Sequence, residues 1–166
     1  SLQNFEKVTI DGNVAATILG TVGADTLIGD AGADTITGRE GADTLTGGSR
    51  SDTFVFTTGD TGITLDTADT ITDFSTGTDK IDITTVGNYV EADGAGNANI
   101  AAFITDADAS LPTTSIDIYA EYNFNGEGNT LVVIDEDKSG AVNTGDTLII
   151  LTGLSTAGGL DASDFI

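Results

Sequence analysis

Four aspartates recur at intervals of nine residues, Asp25, Asp34, Asp43 and Asp52, in a stretch that reads GTVGADTLI, GDAGADTIT, GREGADTLT, GGSRSDTFV. Gly20, Gly29, Gly38 and Gly47 open the units, Gly23, Gly32 and Gly41 hold the fourth position, and Leu27, Ile36, Leu45 and Phe54 hold the eighth. A short fixed period of this kind governs every other reading of the chain. Glycine tolerates the tight backbone of a six-residue loop with inward-turned carbonyls, and the aspartate closing each loop adds a carboxylate. Carbonyl and carboxylate oxygen, with no nitrogen or sulfur, form the donor set of a hard cation, Ca2+ before Mg2+. The three residues after the aspartate suit a short strand with one apolar side chain inward and threonine outward. A glycine-rich linker would need neither the aspartates nor the apolar residues in frame.

A second group of oxygen side chains lies between the apolar runs 131–134 and 147–151. In Asp135-Glu-Asp-Lys-Ser-Gly-Ala-Val-Asn-Thr-Gly-Asp146, oxygen side chains fall at loop positions 1, 3, 5, 9 and 12, glycine at 6 and an apolar residue at 8. This is the spacing of a twelve-residue calcium loop of the EF-hand or dockerin kind. The expected ligands are Asp135, Asp137, Ser139, the Ala141 carbonyl and Asp146, with Asn143 acting through water. Position 12 is Asp rather than a bidentate Glu, and strands rather than helices flank the loop. A polar hairpin loop is the competing reading. A hydrolase would need two convergent carboxylates such as Asp135 and Asp137 in a cleft, and their metal-ligand spacing argues against it.

The nonapeptides resemble the RTX, or hemolysin-type calcium-binding, repeat. That resemblance implies a parallel β-roll in which two nonapeptides make one turn, so that loops 18 residues apart share an ion. By position it pairs Asp25 with Asp43, with the carbonyls of Thr21, Gly23, Gly38 and Glu40. It pairs Asp34 with Asp52, with those of Asp30, Gly32, Gly47 and Ser49. The chain departs from the pattern in keeping the second glycine only at Gly48, in placing Arg50 where a glycine is expected, and in having four full units; Arg50 is expected to mark the end of the roll. The continuation SDTFVF…DTITDFSTGTDKIDI is similar to the segment after the repeats in serralysin-type protease C-terminal domains and alginate epimerase R-modules. This similarity implies a last calcium site closed by Asp69 with Asp60. Asp73, Asp79 and Asp82 are read as an ordinary solvated face or turn.

The elements that must position these groups are all strands but one. The expected architecture is all-β: a short parallel β-roll of nonapeptide repeats (1–56), then a mainly antiparallel β cap (57–166) with at most one short helix. Residues 1–19 look like a degenerate coil, with Ala16 where the aspartate should stand and Ile18 at the apolar position. Ile71, Phe74, Ile81 and Ile83 alternate toward a core. Ile100, Phe103, Ile104, Ala107 and Leu111 fall at helical spacing, with Asn97 or Asn99 as N-cap and Pro112 as stop. Residues 116–122 alternate as a strand, and 126–129 read as a turn.

Composition narrows the function. The 166 residues carry a formal charge of −22, from 27 acidic and 5 basic side chains. Nucleic acid and anionic lipid are therefore poor partners. There is no Cys and no His, which removes disulfides, zinc sites of the usual kinds and His-dependent nucleophilic catalysis. The longest apolar runs are far too short to cross a bilayer, and no N-terminal signal peptide is visible. The chain begins Ser1-Leu2-Gln3, as a fragment of something larger would. Its end, Leu160-Asp-Ala-Ser-Asp-Phe-Ile166, resembles the uncleaved C-terminal signal of type I secreted RTX proteins. The reading is a non-catalytic calcium-binding RTX module of a secreted, extracellular or cell-surface protein of S-layer or adhesin type. Its partners would be Ca2+, the type I secretion machinery, and a cell-surface polysaccharide or further copies of itself. The alternative is a carbohydrate-binding accessory module of a secreted protease or polysaccharide-modifying enzyme.

Overall fold

Three residues are too few for a strand to stand alone, so each short strand here is held by the coil above and below it. The structure is a computed structural model and describes residues 7–83, 88–92, 97, 99–111, 117–155 and 159–166. Six strands open the chain: β1 (Val8–Thr9), β2 (Thr17–Leu19), β3 (Thr26–Ile28), β4 (Thr35–Thr37), β5 (Thr44–Thr46) and β6 (Thr53–Phe56). Successive strands fall on opposite walls, and strands on one wall pair in parallel, Thr17 with Thr35, Thr26 with Thr44 and Thr35 with Thr53. Two nonapeptides thus make one turn. Side-chain alternation sends Leu27, Ile36, Leu45 and Phe54 inward, all fully buried, and leaves threonine on the outer faces. Ala16 stands in the aspartate position of the first coil, and Ile18 stacks on Ile36.

The coil does not stop at Arg50. Two further strands, β7 (Asp69–Ile71) and β8 (Lys80–Ile83), continue the two walls, with Leu45 beside Ile71 and Phe54 beside Ile81. Arg50 is exposed, with a left-handed φ of 83°. The next turn is carried by Asp52 and Phe54, so a bulky side chain pointing outward at position 50 does not interrupt it.

One wall is the four-stranded sheet β2-β4-β6-β8. The other extends into an eight-stranded sheet, β1-β3-β5-β7-β12-β11-β10-β9, which adds β9 (Asn88–Ala92), β10 (Asp117–Phe124), β11 (Asn129–Asp135) and β12 (Thr147–Leu151). The β10–β11 and β11–β12 pairs are antiparallel, flanked by parallel pairing of β9 with β10 and of β12 with β7. The parallel β9–β10 pair needs a crossover, supplied by the helix α1 (Ile100–Ser110). Asn99 caps α1 by accepting from the Ala102 N–H at 3.0 Å. Pro112 and Ile116 lie outside the described residues.

The cap is buried on both faces. Val132 and Ile134 pack with the roll's apolar ladder, while Leu131 and Val133 pack with Phe103, Ala107, Tyr119 and Phe124 beneath the helix. This is why β11 reads as a continuous apolar run rather than an alternating one.

Because Leu45 is stacked between Leu27 and Ile71, Leu45→Ala should cost about 2–5 kcal/mol of stability. Urea unfolding in saturating calcium measures this; a loss well under about 1 kcal/mol would mean that the ladder is not a packed core.

Candidate metal centre

The repeat aspartates form two columns, and in each the carboxylate of one coil holds the backbone of the coil before it. In the first column the Asp25 N–H donates to Asp43 Oδ1 at 2.7 Å, and the Asp43 N–H to Asp69 Oδ1 at 2.8 Å. In the second, the Ala16 N–H donates to Asp34 Oδ1 at 2.7 Å, Asp34 to Asp52 at 2.8 Å, and Asp52 to Asp79 at 3.0 Å. The other oxygen is the informative one. Oδ2 of Asp34, Asp43, Asp52 and Asp69 is buried and meets no hydrogen-bond donor. A buried carboxylate oxygen without a partner is costly, so four of them in two columns call for a cation between the coils.

The glycines show the same cradle from the other side. A Cβ at Gly29, Gly38 or Gly47 would overlap Oδ2 of the aspartate closing its own loop, Asp34, Asp43 or Asp52 respectively. At these positions glycine provides room for the carboxylate. Left-handed backbone falls mainly on the second loop position, at Asp30 (φ 74°), Arg39 (φ 72°) and Gly48 (φ 99°). The Asp30 carbonyl accepts from the Ser49 N–H at 2.8 Å.

At the start of the first column and the end of the second, the second oxygen is already used. Asp25 Oδ2 accepts from the Thr21 N–H at 2.6 Å and its hydroxyl at 2.9 Å. Asp79 Oδ2 accepts from the Ser75 N–H at 2.9 Å.

Asp79 corrects the sequence reading, which put it on a solvated face: it is 3% exposed and is the last rung of the second column. Asp73 likewise accepts from the N–H groups of Gly47 and Gly48, at 2.9 and 2.7 Å. The signal was present in Asp69-Thr-Ile and Asp79-Lys-Ile, which repeat the Asp-x-apolar order of Asp52-Thr-Phe. For Asp79 it was hidden because that rung lies 27 residues from its partner rather than 18; Asp69, 26 residues from Asp43, was named through the resemblance. Asp82 does sit on the outer face, opposite Val55.

Asp60 lies near enough to Asp69 for its charge to act on the Asp69 carboxyl. Asp60, Glu40, Gly41, Ala42, Thr61 and Thr144 are among the residues lining a cleft of about 430 Å³. The Thr61 hydroxyl accepts from the Asp69 N–H at 3.1 Å and donates to the Leu148 carbonyl at 2.8 Å.

The loop 135–146 gathers Asp135, Asp137 and Asp146, with one carboxylate oxygen of each within 4.8 Å of those of the other two. Asp135 accepts from the N–H groups of Ser139 and Gly140, and Asp146 from those of Glu136 and Asn143. Gly140 takes a φ of 70° where the loop turns. Ser139 donates its hydroxyl to the Ala141 carbonyl at 2.9 Å, and the Asn143 amide donates to Asp137, Ser139 and Ala141. Both oxygens of the two buried carboxylates accept hydrogen bonds, unlike the open oxygens of the roll.

The profile of the RTX calcium-binding nonapeptide repeat matches residues 19–54 in four copies. Residues 19–54 are RTX repeats. Calcium is the ion such repeats bind, and the open oxygens suit it. No curated protein matches the chain by sequence. Among solved structures the chain is similar to the AlgE6R3 subunit of the Azotobacter vinelandii mannuronan C5-epimerase, at 19% identity over 100% of this chain and 86% of that one, with a TM-score of 0.37. It is similar to the AlgE6R2 subunit of the same enzyme at 19% identity over 93% and 92%, with a TM-score of 0.39.

The roll loads its carboxylates unfavourably by burying them. Burial pushes Asp69 up to about 8, and the charges of Asp43 and Asp60 add to this against the Asp43 N–H. Burial likewise raises Asp43 to about 6, opposed by the Asp25 N–H. Asp52 and Asp79 are raised by burial too. In the loop 135–146, burial raises Asp146 to about 6 and raises Asp135, whereas hydrogen bonds from Ser139 and Asn143 lower the exposed Asp137.

Raised folded-state values mean that the metal-free fold holds protons the unfolded chain has released. Their contribution to stability is complete below about pH 4 and is lost as pH rises through about 6 and then 8. Metal-free protein should therefore gain β-structure when taken from about pH 8 to pH 5. Circular dichroism on metal-stripped protein reads this directly, and a signal independent of pH contradicts it.

Proposed function

We propose that the chain is a non-catalytic, calcium-folded module of a secreted or cell-surface protein of S-layer or adhesin type, exported by a type I system. It would remain loose where calcium is scarce and close into the roll outside the cell. The observation that carries this reading is the set of four buried, unpartnered carboxylate oxygens in a chain of formal charge −22. Such a chain repels itself until cations sit between its coils. An ion at 100 times its dissociation constant adds about 2.7 kcal/mol per independent site, so a few ions can decide whether a thin roll folds.

In this proposal 1–56 forms the ion-binding roll, and 57–166 the cap with its secretion signal in the tail. Asp25 with Asp43 and Asp34 with Asp52 hold ions together with the carbonyls of Thr21, Gly23, Gly38 and Glu40, and of Asp30, Gly32, Gly47 and Ser49. Asp69 and Asp60 close a last site against Asp43, and the loop 135–146 holds one more ion. Among the described residues no helix is long and apolar enough to cross a membrane.

In chelator at neutral pH the chain should be largely disordered, and millimolar Ca2+ should restore β-structure far better than Mg2+. Equal structure in chelator and in calcium refutes the proposal. Asp34→Ala and Asp52→Ala should each weaken calcium-linked stability, and the double variant should lose less than their sum because both touch one ion. Strict additivity would separate them. In the loop, Asp135→Ala or Asp137→Ala should remove one ion from the stoichiometry measured by calorimetry, leaving those of the roll. Unchanged stoichiometry in both variants makes 135–146 an ordinary acidic hairpin.

A further inference from the structure

The two ends of the roll are finished differently. At the first coil, Val14, Leu19 and Val22 are exposed. At the other end the four-stranded wall is closed by residues 165–166. Phe165 bridges Ile81 in parallel, the Ile166 N–H donates to the Ile81 carbonyl at 3.0 Å, and the Ile83 N–H donates to the Ile166 carbonyl at 3.0 Å. Phe165 and Leu160 are buried in the main core, and the Leu160 N–H donates to the Tyr122 hydroxyl at 2.8 Å. A 3₁₀ turn (Ala162–Asp164), capped by Asp161, sets the direction of the tail.

The tail also reaches the aspartate columns. Asp164, 1% exposed, accepts the Gly77 N–H on Oδ1 at 2.8 Å and the Asp161 N–H on Oδ2 at 3.1 Å. Lys80 spans the same junction, donating to the Ser163 carbonyl at 2.7 Å and lying 3.7 Å from Asp164. Gly77 belongs to the loop 75–79, whose φ of 72° at Gly77 shapes the turn that carries Asp79. Asp79 is held within that loop by Ser75 and in turn holds the Asp52 N–H. Asp52 then holds the Asp34 N–H, and both leave Oδ2 open. Hydrogen bonds linked by the short covalent loop 75–79 therefore connect the segment 160–166 to the aspartates of the second column. None of these tail contacts reaches Asp25, Asp43 or Asp69.

We infer that the segment 160–166 is a latch on the second aspartate column, with Asp164 as the residue that positions the last loop for calcium held between Asp34 and Asp52. This rests on the reading of that pair as a calcium site. Linkage is reciprocal, so calcium in the second column tightens the tail as much as the docked tail tightens calcium. The first column, closed by Asp69 and the cap, is independent of the latch.

The test follows calcium titrations of the full chain by NMR, with the amides of Gly32 and Gly48 reporting the second column and those of Gly23 and Gly41 the first. Asp164→Ala should weaken calcium about tenfold in the second column while leaving the first within about twofold, and Asp164→Asn, which keeps an acceptor for Gly77, should recover most of the loss. Equal weakening of both columns indicates a general loss of stability and overturns the latch, as does no change in either. Should Asp164→Ala fail to fold, hydrogen exchange on the unaltered chain decides. The amides of Gly77, Ile83 and Ile166 should gain protection at the same calcium concentration as those of Asp34 and Asp52, and protection independent of calcium overturns the inference. Asp34→Asn separates the two levels: if it leaves calcium binding in the second column intact, the site assignment fails and the latch with it. If it abolishes that binding while Asp164→Ala changes nothing, the latch alone fails.

Discussion

A buried aspartate with one oxygen bonded and one open is the unit on which this structure depends. Oδ1 accepts the backbone N–H of the preceding coil, from Ala16 to Asp34, Asp52 and Asp79 in one column and from Asp25 to Asp43 and Asp69 in the other. That bond sets the rise between coils and keeps the short strands in register. It also places each carboxylate where water does not reach, and for four of them no protein group satisfies Oδ2. The same side chain that aligns the coils therefore makes them repel each other until a cation arrives. The raised values of Asp43, Asp52, Asp69 and Asp79 express this conflict.

The apolar contribution of the roll is small by design of the repeat, since each nonapeptide sends one large side chain inward. Leu27, Leu45 and Ile71 line one wall, and Ile18, Ile36, Phe54 and Ile81 the other. A ladder one residue wide stabilises only when it is stacked, and stacking brings the carboxylates together. Core and charge are thus tied to the same event. The cap differs in kind. Its central strand β11 is covered on one face by the roll and on the other by α1, so it has a core in the ordinary sense, and its strand β12 pairs with β7 to join it to the roll.

The loop 135–146 sets a contrast. Its three carboxylates bring one oxygen each within 4.8 Å of one another, yet backbone N–H groups satisfy the buried oxygens of Asp135 and Asp146. The Val142 N–H is held by Asp108 of the helix at 2.6 Å, which anchors the loop to the cap independently of any ion. Spacing alone did not distinguish these two arrangements; the partners of each oxygen do.

Much of this was determined by local pattern. The nine-residue period named the aspartates and the inward apolar residues, because each unit is short enough for its own residues to specify its loop and strand; the parallel coil came with the resemblance to the RTX repeat. The spacing of Ile100, Phe103, Ala107 and Leu111 placed the helix with Asn97 or Asn99 as its cap, and the structure selects Asn99. The tertiary structure decided what lies beyond the period. Asp69 and Asp79 join the columns although the frame has slipped, because strand pairing of β5 with β7 and β6 with β8 carries them there whatever the length of the connecting loop. Arg50 ended the pattern but not the coil, since the next turn is held by rungs on either side of it. Which oxygens remain open, and that residues 165–166 close the second wall, depend on contacts between groups as much as 87 residues apart. No local pattern encodes such contacts; they exist only once the coils have stacked.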